Sequence, residues 1–186
     1  MDNFSPAQQQ VLNLLNEYVE SEPENGYSTG LLIEFAKLHE NCCERTLMIG
    51  HFTGSCWLVS KDGERVLLTH HKKLERWLQL GGHADGDSDL AQVALREAEE
   101  ESGLTDLIVE PGIFDLERHL IPARGKDPEH YHHDVRFVVH STGSEEYIVS
   151  DESHALAWRN ISELVDDVEA EESIRRMARK WLKRKK

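Results

Sequence analysis

Cysteine is scarce in this chain. Three thiols, Cys42, Cys43 and Cys56, stand among 186 residues, too few and too poorly spaced for a disulfide framework or a zinc cage. Adjacent side chains on a strand point to opposite faces, so Cys42 and Cys43 do not read as a bonded pair. Reduced, buried thiols are the reading, as the cytosol would keep them. Long apolar runs are also missing: no stretch approaches the ~20 residues needed to cross a bilayer. The opening MDNFSPAQQQ lacks the basic and then apolar layout of a secretion signal. A soluble, cytoplasmic protein without a membrane partner is expected.

Positive charge is short everywhere except at one end. The formal net charge is −14, yet the last twelve residues, RRMARKWLKRKK, hold eight of the 21 basic side chains. Residues 1–174 therefore carry 13 basic against 35 acidic groups, a balance of −22. Such a body repels phosphate backbones, which argues against a nucleic-acid partner unless the tail alone provides the contact. An anionic small substrate would need local charge reversal, and a divalent cation supplies it most simply.

With 39% hydrophobic residues the chain can bury one substantial core. Ser5 and Pro6 cap a helix whose apolar stripe is Val11, Leu12, Leu14, Leu15, Tyr18 and Val19. ENGYSTG breaks it, and Leu31, Leu32, Phe35, Ala36 and Leu38 repeat the pattern. Residues 1–45 thus read as a helical arm packed on the core, and residues 46–186 as the main domain. There RTLMIGHF and GSCWLVS lead through a KDGE turn to ERVLLTHH, a hairpin, followed by a short strand in WLQLGG. Further β-type segments are TDLIVEPGIFDLERHLIP, YHHDVRFVVH and EEYIVS, and one closing helix is expected over Ile161–Trp181. The fold class is α+β, with helices on a mixed sheet.

Between WLQLGG and the next strand lies GGHADGDSDLAQVALREAEEESGL, a glycine turn, a capped helix start and a helix ending near Gly103. Glu97, Glu100 and Glu101 fall at spacings of three and four, on roughly one side of that helix. Like charges so spaced each cost a few tenths of a kcal/mol, roughly, unless a cation sits against them. Carboxylates are hard oxygen ligands and suit Mg²⁺ or Mn²⁺. Taken alone, such a run reads better as a solvated acidic face.

The spacing of Gly82, Arg96, Glu97, Ala98, Glu100, Glu101, Gly103 and Leu104 resembles the Nudix box. The chain departs from it once, with Ser88, flanked by Asp87 and Asp89, where the box has its first Glu. The flanks WLQLGGH and ESHALAW are also Nudix-like. The resemblance implies a Nudix-type α/β/α sandwich with a mixed sheet, here with an N-terminal helical extension. It also implies cleavage of a pyrophosphate bond in a nucleoside diphosphate linked to another group. The carbonyl of Gly81 and the side chains of Glu97, Glu100 and Glu101 are then the expected metal ligands, and Arg96 orients the glutamates. Glu97 is a candidate base, and Glu152 in SDESHALAW is another.

Strand alternation in HYHHDVRF sets His130, His132, Asp134 and Arg136 on one face, against Tyr131, His133, Val135 and Phe137 on a core face. The first face is a solvent-facing surface, a substrate contact or a second metal site. His132 and Arg136, with His83 after the glycine turn, are taken as candidate substrate contacts. Trp57 and Trp77 read as core. The different-class alternative is a Nudix-like sensor that binds a nucleotide derivative without cleaving it. The separateness of the arm suggests a homodimer.

Overall fold

The computed structural model describes residues 4–72, 75–126, 128–149 and 153–184. The element order is α1 (Pro6–Ser21), a 3-10 turn (Pro23–Asn25), α2 (Gly26–Leu38), β1 (Gly50–Val59), β2 (Arg65–His71), β3 (Arg76–Leu78), β4 (Leu80–His83), α3 (Leu90–Ser102), β5 (Leu107–Ile121), β6 (His130–Ser141), β7 (Ser153–Asn160), α4 (Ile161–Leu164) and α5 (Glu172–Arg184). Among the described residues, seven strands form a mixed sheet in the order β3-β2-β1-β6-β5, with β4 paired to β1 and β7 to β2. This is the expected α+β class. Among the described residues, no helix is long and apolar enough to cross a membrane.

The chain divides into two compact units. The first comprises Met1–Gly54, Gly82–Val93 and Glu110–Phe137. Its α1 starts on a capping box: Ser5 Oγ accepts from the Gln8 amide at 3.3 Å while the Gln8 side chain accepts from the Ser5 amide at 3.0 Å, closing two orphan donors of the first turn. Gln8 Nε2 also donates to the Ala36 carbonyl at 2.9 Å, satisfying a group at the end of α2 that has no intrahelical partner. Val11, Leu12, Leu15 and Tyr18 are buried, as are Leu32 and Ala36 of α2. Phe35 extends this contact to Phe52, at 5.8 Å between ring centroids. The expected break between the helices is shorter than ENGYSTG, because α2 already begins at Gly26.

The second unit comprises Ser55–Gly81, Ala94–Val109 and Val138–Lys186. Here β2 is antiparallel to β1, β3 and β7, with Val59 opposite Val66, His70 opposite Trp77 and Leu68 opposite Ala157. The turn at Asp62-Gly63 is held by Ser60 Oγ donating to Asp62 at 2.6 Å, and Gly63 adopts φ +68°, a value favourable to glycine. Trp181 of α5 donates from Nε1 to the Gly63 carbonyl at 2.8 Å, which fixes the closing helix to this hairpin.

Five sequence expectations need correction. RTLMIGHF does not form its own strand: residues 45–49 are turn and coil, and β1 runs unbroken through Gly54. EEYIVS is not a strand over 145–149; Ile148 instead donates its amide to the Ser102 carbonyl at 2.7 Å, and Glu145 is used by Arg65 at 2.6 Å. The single closing helix is two, because Asp167 stops the first by accepting from the Glu169 amide at 3.0 Å and pairing with Arg159 at 3.2 Å, an Asx turn that competes with helix. Cys42 and Cys43 lie in a turn rather than a strand, but all three cysteines are buried and outside any disulfide, as expected. Trp57 is core, while Trp77 is half-buried against His70 at 5.2 Å.

Candidate active site

Within the second unit, a hydrogen bond joins the backbone of β4 to the acidic helix. Gly81 donates its amide to Glu101 Oε1 at 2.7 Å. The backbone at Gly81 is pressed against Ser55 so closely that an added Cβ would lie 2.6 Å from the Ser55 Cα, and its φ is +157°. Only glycine fits such an approach. On α3, Ala98 is fully buried, Glu97, Glu101 and Arg96 are half-buried, and Glu99 and Glu100 are exposed. The helix ends where Gly103 takes φ +67° and donates to the Glu99 carbonyl at 2.8 Å, a left-handed cap.

The start of α3 belongs to the first unit and shows how the chain manages without the first box glutamate. Asp89 Oδ1 accepts from the Gln92 amide at 3.2 Å and Asp87 Oδ1 from the Asp89 amide at 3.0 Å, so the two aspartates beside Ser88 build the cap. Ser88 itself donates to Gln10 of α1 at 2.9 Å.

The expected ligands Gly81, Glu97, Glu100 and Glu101 all belong to the second unit. Their donor set is entirely oxygen, which fits a hard divalent ion. Among the described residues, the groups that bring at least three His, Cys, Asp or Glu ligand atoms within 4.8 Å of one another are His51 with His83 and His132, and His70 with Glu75 and His154; the α3 carboxylates are not such a group. The first is wholly in the first unit and the second wholly in the second. His51, Glu75 and His154 are not singled out by sequence, since none lies in the box or in HYHHDVRF. Glu152 lies outside the described residues.

The strand β6 departs from simple alternation. His133, Val135 and Phe137 are buried as expected, but Asp134 and Arg136 are buried too, at 2% and 3% exposure. Arg136 donates from Nε to Asp134 at 2.7 Å and pairs through Nη1 with Asp115 at 2.9 Å and Glu117 at 2.8 Å. Thr53 Oγ1 donates to Asp134 at 2.8 Å. Burial works against the charged guanidinium, but the three carboxylates more than offset it and hold Arg136 protonated more firmly than usual. The expected substrate contact at Arg136 is therefore corrected: its charge is engaged inside the first unit, where the buried Asp115 and Asp134 would otherwise be stranded.

His132 is half-buried, as is His83. Burial, then the neighbouring His51, His83, His119 and His130, push His132 down to about 3. His51 is held at about 4, by burial and by His83 and His130, against a raising contribution from the Leu47 carbonyl. Both rings are neutral at physiological pH.

The NUDIX domain model matches residues 51–182. The chain belongs to the Nudix family, and its class is that of hydrolases acting on pyrophosphate bonds of nucleotide derivatives, generally with a divalent metal. Among solved structures, the chain is similar to a NUDIX-family hydrolase from Clostridium perfringens, at 25% identity over 73% of this chain and 98% of that one, TM-score 0.54. It shares its fold with a C. elegans Ap4A hydrolase binary complex (20% identity, 71% and 95% covered, TM-score 0.55). The same holds for the MutT protein from Methanosarcina mazei Go1 (15% identity, 75% and 98% covered, TM-score 0.56). No curated protein matches the chain in sequence.

Proposed function

We propose that the protein is a Mg²⁺- or Mn²⁺-dependent pyrophosphohydrolase. Its substrate would be a nucleoside diphosphate linked to another group, either a nucleoside diphosphate sugar such as ADP-ribose or a nucleoside triphosphate. The observation that carries this reading is the 2.7 Å bond from the Gly81 amide to Glu101, which ties a carboxylate-rich helix to the backbone of a glycine-bearing strand. In this proposal the Gly81 carbonyl, Glu97, Glu100 and Glu101 hold the ion. Bound there, a divalent ion neutralises phosphate oxygens and lowers the pKa of water by several units, roughly. Arg96 orients the glutamates, and Glu97 or Glu152 accepts the proton of the attacking water. A cytoplasmic setting is in keeping with three buried thiols outside any disulfide, and a homodimer is proposed from the arm.

A panel of nucleotide derivatives with Mg²⁺ or Mn²⁺, followed by released monophosphate, tests the reading together with Glu101→Gln. The amide oxygen of Gln can still accept from Gly81, so the fold is kept while the charge is lost. Turnover is expected to fall about 100-fold or more, as loss of a site's ordering interactions does. Full activity in the variant contradicts the ligand role. The sensor alternative would show itself as tight binding of a nucleotide derivative with no turnover in the unmodified chain.

A further inference from the structure

Of the eleven histidines of the chain, five converge within the first unit, and the metal-dependent hydrolysis proposed at α3 does not account for them. The rings of His51 and His83 lie 5.2 Å apart, His51 and His132 4.9 Å, and His83 and His132 5.1 Å. His130 stands 5.1 Å from both His51 and His132, and His119 5.5 Å from His132. These residues come from separate segments, β1, β4, β5 and β6, so their convergence is a property of the fold and not of one histidine run.

We propose that His51, His83 and His132 form a binding site for a borderline transition-metal ion of the Zn²⁺ class, distinct in ligand chemistry from the carboxylate set of α3. One ring nitrogen from each of the three lies within 4.8 Å of the other two. His51 is 2% exposed. Its Nδ1 faces the Leu47 carbonyl at 3.5 Å, which favours the proton on that nitrogen, and its buried Nε2 has no hydrogen-bond partner. A buried ring nitrogen presenting an unused lone pair costs ~1–3 kcal/mol unless something accepts it, and a carbonyl behind a histidine is the usual outer support of a metal ligand. His130 repeats the arrangement: its Nδ1 faces the Pro128 carbonyl at 2.8 Å, and its Nε2 lies 3.3 Å from His132 Nε2.

Imidazole donors select Zn²⁺, Cu²⁺, Ni²⁺ or Fe²⁺ over Mg²⁺ and Ca²⁺, which prefer oxygen. Three protein ligands leave a fourth position for water or another small ligand. His83 and His132, expected from sequence at the substrate, are assigned here to the metal.

Chelator-treated full-length protein titrated calorimetrically with ZnCl₂ is expected to take up one ion per chain with submicromolar affinity, undiminished by millimolar MgCl₂. Co²⁺ in its place should give the intense visible bands of a tetrahedral nitrogen site. His132→Gln and His83→Gln should each weaken Zn²⁺ about 100-fold, while circular dichroism confirms that both still fold. His154→Ala and Glu101→Gln should leave Zn²⁺ affinity unchanged. No uptake by the unmodified protein, or uptake that survives His132→Gln and His83→Gln, overturns the proposal. Loss of uptake in Glu101→Gln or His154→Ala overturns it too, by placing the ion elsewhere. Because these readouts do not involve turnover, a failed histidine site and a failed hydrolase assignment are separable.

Discussion

His133 shows what burial does to a single titratable side chain. It is 2% exposed and packed against Phe35, at 4.1 Å between ring centroids, and Phe52, at 5.4 Å. Its Nδ1 has no hydrogen-bond partner. Burial first, then Arg118 and neighbouring histidines, hold it down to about 3, whereas in an unfolded chain it returns to about 6.5. The unfolded state therefore binds the extra proton between these values. Stability from this group is complete above about pH 6.5 and declines as pH falls toward 3, by up to about 1.4 kcal/mol per pH unit. His133→Phe keeps the ring in its aromatic surroundings and removes both the titration and the unsatisfied nitrogen. Urea denaturation in chelator buffer should show equal or greater stability at pH 7 and a shallower loss between pH 6.5 and 4. The slope should not vanish, because His51 and His132 are depressed in the same direction. An unchanged slope would remove His133 from the acid response.

At the scale of elements, Gly54 explains why a strand can hide behind its own sequence. Glycine is a breaker by propensity, so RTLMIGHF and GSCWLVS read as two pieces, yet β1 is continuous from Gly50 to Val59. The position is glycine because α3 comes close: an added Cβ would lie 2.8 Å from Val93 Cγ1 and 2.9 Å from the Leu90 carbonyl. Gly54→Ala should thus destabilise by about 1–3 kcal/mol, the cost of overpacking, read as a lower denaturation midpoint with an unchanged urea dependence. An alanine variant of native stability would mean that α3 yields to it. Local signals were legible wherever they were complete. The Ser5 and Pro6 cap, the Asp62-Gly63 turn and the Gly103 helix end each carry their own hydrogen bonds within a few residues. β7 was not identified as a strand, since SHALAWRN is short and its pairing with β2 depends on residues some ninety positions away. The split of the closing helix was missed because Asp167 decides it through Arg159, a partner that periodicity does not weigh. The carboxylate helix was legible from its spacing, whereas the His51 group was not, since its members converge only in three dimensions.

For the whole molecule, the question is what the arm does. Its helices are not detachable: Phe35 of α2 packs on Phe52 and His133, and Ala36 and Leu32 are buried. A chain lacking residues 1–40 would expose those rings, so truncation confuses loss of a partner with loss of fold. α2 nevertheless leaves Tyr27, Leu31 and Leu38 exposed, at 86%, 44% and 75%. Their spacings of four and seven put them on one side of the helix. Aligned apolar groups of this kind are what an isologous two-fold contact needs, where the same patch meets itself. Light scattering on the full chain should then give twice the 21.3 kDa protomer mass. The double substitution Tyr27→Ser with Leu31→Glu should give a folded monomer, since both side chains are at the surface and neither supports the core. High salt should not dissociate the dimer if the contact is apolar, because screening weakens only exposed charge interactions. A protomer mass for the unmodified chain at tens of micromolar ends the dimer proposal, and a dimer that survives the double substitution moves the interface off α2.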